Sequence, residues 1–105
     1  MKEVIIGYMK EMLEMSAEDS AELFDVYMET LNEHCTGLDT AVKAEDYAEI
    51  RRLTHSLTGC SGNVGAEDIV EVVREINAAA KAANQTAAVN GLRRLVALRD
   101  QLAAE

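Results

Sequence analysis

The sequence predicts an all-α protein: an antiparallel up-down four-helix bundle with a short extra N-terminal helix. Three observations point there. The chain has no proline, and Ala, Leu, Val, Glu and Met dominate it, a mix that favours helix over strand. Apolar residues recur at helical spacing through almost every segment, and no strand-like alternation appears. Short polar breaks separate the apolar stripes, which makes consecutive helices antiparallel neighbours.

The first helix is predicted from Val4, Ile5, Tyr8, Met9, Met12 and Leu13. "SAEDSAE" then breaks and restarts the chain, with Ser16 (followed by Asp19) or Ser20 as the cap of the next helix. The second stripe runs through Leu23, Phe24, Tyr27, Met28, Leu31, Leu38 and Val42, with Gly37 as a weak point where a bend or early end is expected. "KAED" is a polar connection, and Asp46 is a candidate N-cap. The third stripe holds Tyr47, Ile50, Leu53 and Leu57, with Cys60 and Val64 expected to face inward beyond them. "GAED" opens a fourth, carried by Ile69, Val72, Val73, Ile76 and Ala80. "AANQ" ends it, and Val89, Leu92, Leu95, Val96, Leu98 and Leu102 make the last.

A chain of 105 residues predicts one domain, 1–105, with one core. The net charge of −9 argues against nucleic acid, whose phosphates need a basic footprint, and against an anionic membrane surface. Plain solubility accounts for the acidity equally well. Cys35 and Cys60 are too few for a disulfide framework and read as buried or half-buried thiols in a reducing cytoplasm. The opening "MKEVIIGYMKEMLEM" interleaves charges with its apolar residues, so it reads as neither a signal peptide nor a membrane span.

The stretch "LTHSLTGCSGNVGAEDI" carries the chemistry. On a helical wheel His55 lies roughly 170° from the Ile50–Leu53–Leu57 stripe, so it is expected to point into water. Its neighbours on that face are Ala48, Arg51, Thr58, Gly59 and Gly62, with Arg52 at the edge. A glycine inside a helix costs about 1 kcal/mol relative to alanine. Gly59 and Gly62 therefore suggest a face kept bare so that a partner can approach the imidazole. The simpler reading is a fraying helix end, which explains Gly65 as the turn and Gly62 passably, but Gly59 poorly.

These residues resemble the histidine-containing phosphotransfer (HPt) domain of phosphorelay and two-component signalling systems. The family pattern runs roughly A-H-x-L-K-G, a few small residues, then G-A-x-x-L. His55, Leu57, Gly59, Gly65, Ala66 and Ile69 fall in register with it, and Phe24 and Asp46 stand where the family has similar residues. The resemblance covers nearly the whole chain. It departs at Thr58, where the family commonly has a lysine that contacts the phosphoryl group. A threonine hydroxyl donates a hydrogen bond but brings no charge. The departure bears on the rate of transfer and the stability of the phosphorylated form. The resemblance also implies a polar amide on the next helix near the imidazole, and Asn77 falls at about that place.

The resemblance implies a phosphorelay carrier, a transfer intermediate rather than an independent enzyme. Neutral imidazole is a nucleophile near pH 7. His55 would accept a phosphoryl group from a receiver-domain phosphoaspartate and pass it to another receiver, the partner supplying Mg²⁺ and the stabilising charges. No cofactor of its own is implied, and no P-loop occurs. With the lysine absent, Arg51 is the leading candidate for a compensating cation, one turn before His55, and Arg52 the second. If Arg51 instead pairs with Glu49 or Asp46, it is an ordinary surface residue. His34 reads as a surface residue: it and the adjacent Cys35 point in different directions, which argues against a zinc site. The methionines read as core filler. Two other readings stand beside the carrier: a chemotaxis-kinase-type phosphoacceptor domain, and a degenerate bundle acting only as an interaction module. A hydrolase is the weakest, because no second catalytic partner for His55 is evident.

Overall fold

The computed structural model describes residues 1–105 and contains five helices and no strands. In chain order they are α1 (Lys2–Met12), α2 (Ala17–Lys43), α3 (Tyr47–Asn63), α4 (Glu67–Lys81) and α5 (Gln85–Ala104). α3 packs against α2 and α4, α5 packs against α4 and α2, and α1 lies on α2. At about 1.5 Å per residue, the 27 residues of α2 span nearly the whole 42 Å long axis of the molecule.

Side-chain caps begin three of the helices. Ser16 Oγ accepts from the Asp19 amide at 3.0 Å, Asp46 Oδ1 from Glu49 at 3.1 Å, and Asn84 Oδ1 from Ala87 at 3.1 Å. Of the two candidate caps for α2, Ser16 does the capping, while Ser20 is buried one turn in, its hydroxyl without a partner. α4 has no side-chain cap.

The links α2–α3, α3–α4 and α4–α5 share one design. Each ends its helix on a left-handed residue: Glu45, Gly65 and Ala83. The amide after each reaches back to the preceding helix: Asp46 to Ala41 O, Ala66 to Ser61 O and Asn84 to Ala79 O, each at 2.9 Å. This is the Schellman closure, which satisfies carbonyls a helix end leaves free.

The core is apolar and drawn from every helix. Ile5, Met9, Leu31, Leu38, Ile50, Leu57, Ile69, Ile76, Leu95 and Leu102 are fully buried. Three expectations need correction. Val4, Met12 and Leu13 of the first stripe are exposed, so Met12 is not core filler. α2 does not end at Gly37. It runs on to Lys43, and the missing side chain at Gly37 makes room for Leu53: a Cβ there would lie 3.2 Å from Leu53 Cδ1. Cys60 does not face the core squarely. Ser61 is the fully buried residue, Cys60 is half-buried on the flank toward α2, and Val64 is buried as expected. Ser61 is tolerated because its hydroxyl meets Tyr27 Oη at 2.8 Å, a buried tie between α2 and α3. Burial pushes the Tyr27 phenol well above its ordinary range, so it stays neutral and keeps that hydrogen bond.

Candidate functional site

α3 turns its exposed side outward along Ala48, Arg51, Arg52 and His55, all open to solvent. The opposite side, through Ile50, Leu53, Leu57 and Ser61, is in the core. His55 therefore sits on the outer face because the core residues around it are spaced three and four apart. It does not stand alone above the surface, however. α4 rises beside it, and an open groove of about 450 Å³ forms between the two helices. Ala48, Arg51, Arg52 and His55 line one wall, and Asn77 and Lys81 the other.

Beneath the groove, hydrogen bonds run through the threonines of α3, and no side-chain hydrogen bond of the protein involves the His55 ring. Thr54 is fully buried directly beneath the site. Its hydroxyl faces two acceptors, Arg51 O at 3.0 Å and Asn77 Oδ1 at 3.3 Å. The hydroxyl has one proton and its shorter contact is to Arg51 O, so Asn77 Oδ1 is the alternative acceptor for that proton.

The cations divide unequally. Arg52 is bound to Glu49: Nε lies 2.9 Å from one carboxylate oxygen, and Nη2 adds a second bond. That hydrogen bond lowers the Glu49 carboxyl below its usual range and raises the guanidinium further. Arg51 forms no ion pair, and neither does Lys81. The surface pairing considered for Arg51 thus belongs to its neighbour.

Thr58 is the clearest departure from the expected face. It is half-buried, it does not line the groove, and its hydroxyl donates to Thr54 O at 2.8 Å. Its single proton is committed to the backbone of its own helix. Gly59 and Gly62 continue the outer side beyond His55, and a Cβ at either would meet nothing within 4 Å. No packing inside the chain explains their lack of side chains. Gly65 has φ +74°, and a Cβ there would lie 2.5 Å from the Tyr8 ring, so this turn also seats α1.

His34 is not an ordinary surface residue. It is half-buried and braces α2 to α3, with Nδ1 at 2.8 Å from Thr30 O and Nε2 at 3.1 Å from Ser56 Oγ, next to His55 in sequence. Cys35 points away from it into the core, and burial raises that thiol's pKa.

Two residues of the site were missed from sequence. Thr54 gave no signal, because a threonine beside the apolar stripe looks unremarkable until Asn77 is placed opposite. Lys81 gave one: it is four residues after Asn77 and so shares its face of α4.

With this geometry in place, comparison with known proteins adds one finding. A family model described as "Hpt domain" matches residues 22–105, that is, all of α3, α4 and α5 and most of α2, but not α1. No curated protein and no solved structure gives a significant match.

Proposed function

This chain belongs to the Hpt domain family, whose function is histidine phosphotransfer in phosphorelays, and we propose that it is a carrier with His55 as its phosphoacceptor. The observation that carries this reading is the His55 ring itself. It is exposed, free of hydrogen bonds to the protein, and set in a groove whose other side chains are neutral or cationic.

The chemistry needs little more. A ring nitrogen offers its lone pair to the phosphorus of a receiver's phosphoaspartate. The P–N bond forms as the acyl-phosphate P–O bond breaks, and the aspartate leaves as carboxylate with that electron pair. The remaining N–H proton of the ring passes to water. A second receiver reverses the step, its aspartate attacking phosphorus and the imidazole leaving. The receiver brings Mg²⁺ and the groups that neutralise the transferring phosphoryl. In this reading Asn77 orients the ring or the phosphoryl group and Arg51 faces the added charge. Ala48, Arg52, Gly59 and Gly62 form the surface on which the receiver settles. Thr58, its proton spent on the helix, supports α3 rather than the phosphate. α2 to α5 are read as the up-down bundle with α1 added to it. No helix is long and apolar enough to cross a membrane, and a cytoplasmic location fits a receiver partner.

The test needs no cognate partner. Phosphoramidate phosphorylates accessible histidines directly: its P–N bond breaks, a new P–N bond to imidazole forms, and ammonia leaves with the proton. The wild-type chain should gain acid-labile, base-stable phosphate, and His55→Gln should gain almost none. Equal labelling of the two proteins would overturn the assignment.

A further inference from the structure

The groove beside His55 is unlike the rest of the molecule. The chain has 19 Asp and Glu against 10 Lys and Arg. Yet the groove is lined by three of those cations, Arg51, Arg52 and Lys81, and by no carboxylate. In an acidic protein this is a local inversion of sign at the one face where a doubly negative group would be added.

Among these cations Lys81 has a distinct position. Arg51 and Arg52 share a helix with His55 and rise beside it, and Arg52 is held by Glu49. Lys81 ends α4 and faces His55 across the groove, without an ion pair, one turn beyond Asn77. A lysine in the last turn of a helix also suits the helix dipole. That accounts for a cation at this end of α4, but not for a groove wall without carboxylates. Thr58 meanwhile has neither a charge nor a free proton to offer.

We infer that Lys81 binds the phosphoryl group on His55 from the side opposite Arg51, supplying from α4 the positive charge that α3 lacks at Thr58. The inference rests on His55 being the phosphoacceptor. A primary ammonium on a flexible stem suits this position: it reaches across to oxygens that are absent in the unphosphorylated state and contributes three donors when they appear. It acts on the phosphorylated form, whose group carries close to two negative charges near pH 7.

The experiment loads His55 with phosphoramidate and follows loss of acid-labile phosphate to water at neutral pH, where P–N breaks and inorganic phosphate leaves. Lys81→Ala should fold normally, since alanine is the better helix former. Its phosphohistidine lifetime is expected to fall by roughly three- to tenfold at low salt, the scale of one exposed ion pair with a doubly charged partner. The difference should shrink in 1 M salt, where the Debye length is about 3 Å. Lys81→Arg should keep most of the lifetime, and Thr58→Lys in the Lys81→Ala background should restore part of it. A purely structural role for Lys81 would give neither the salt dependence nor the rescue. If His55 loads in every variant with one common lifetime, the inference is wrong and the phosphoacceptor assignment stands. If the wild-type His55 does not load at all, the assignment falls and the inference with it.

Discussion

His55 owes its availability to its neighbours more than to itself. Leu53, Thr54 and Leu57 hold its stretch of α3 against the core, so the ring has nowhere to go but outward. Gly59, a turn further on, keeps the approach bare. Replacing it by glutamine should raise helix stability by about 0.5–1 kcal/mol, because open space surrounds the position. Chemical loading of His55 should be unaffected, while transfer from a receiver is blocked by the added side chain. Thermal denaturation paired with a transfer assay checks both halves, and normal receiver transfer in the folded variant would remove the docking role. Thr54→Val keeps the shape and removes the hydroxyl that lies 3.3 Å from Asn77 Oδ1. It should slow transfer severalfold with a stability loss of about 1 kcal/mol, measured by single-turnover transfer alongside denaturant melts. Arg51→Ala should shorten the phosphohistidine lifetime, since Arg51 is not tied up in an ion pair. The exposure of His55 and Arg51 and the open space at Gly59 were legible from spacing along one helix. Lys81 was legible only through its i, i+4 spacing from Asn77, and the contact between Thr54 and Asn77 was not, because it depends on which face α4 turns toward α3, and periodicity within one helix is silent on that. Thr58 was misplaced for a related reason: the wheel gave its direction but not the carbonyl its hydroxyl would choose.

At the level of elements, the turns explain why five helices form without proline. The three Schellman closures set the helix ends, and the caps at Ser16, Asp46 and Asn84 set three of the starts. These ends were readable, since capping residues and polar breaks are local signals. The reach of α2 through Gly37 was not, because a glycine that breaks a helix and one that admits a neighbour's Leu53 look alike in sequence. The left-handed positions differ in cost. Gly65 takes φ +74° freely, whereas Ala83 adopts φ 51° at a penalty of about 1 kcal/mol or more. Ala83→Gly should therefore stabilise the protein by up to about 1 kcal/mol, part of the gain being offset by a more flexible unfolded chain. Gly65→Ala should destabilise by more than that, because strain adds to the collision with Tyr8. Urea denaturation of the two variants against wild type checks the opposite signs. α1 lies outside the family match, yet its Ile5 and Met9 are fully buried. Met9→Ala is expected to cost about 2–5 kcal/mol, which the same melts would show, whereas a peripheral α1 would lose far less.

On the scale of the whole molecule, the bundle keeps two properties apart. Its core is apolar and closed, with Thr54 and Ser61 as buried polar residues that face α4 and α2 through hydrogen bonds. Its surface is acidic overall but basic at the groove between α3 and α4. The first property makes α3 a rigid base for the imidazole. In the proposed carrier role, the second would let a molecule of net charge −9 receive a phosphoryl group without adding it to an already negative patch. The central claim, that His55 carries phosphate between receiver domains, is tested most directly by mixing the wild-type chain with receiver domains preloaded on aspartate by acetyl phosphate, in Mg²⁺. Acid-labile phosphate should appear on the wild-type chain as it leaves a matching receiver, should return to a second, unloaded receiver, and should be absent from His55→Gln. Phosphate that reaches His55→Gln as fast as wild type, or that no receiver ever delivers to a His55 readily loaded by phosphoramidate, would contradict the carrier account.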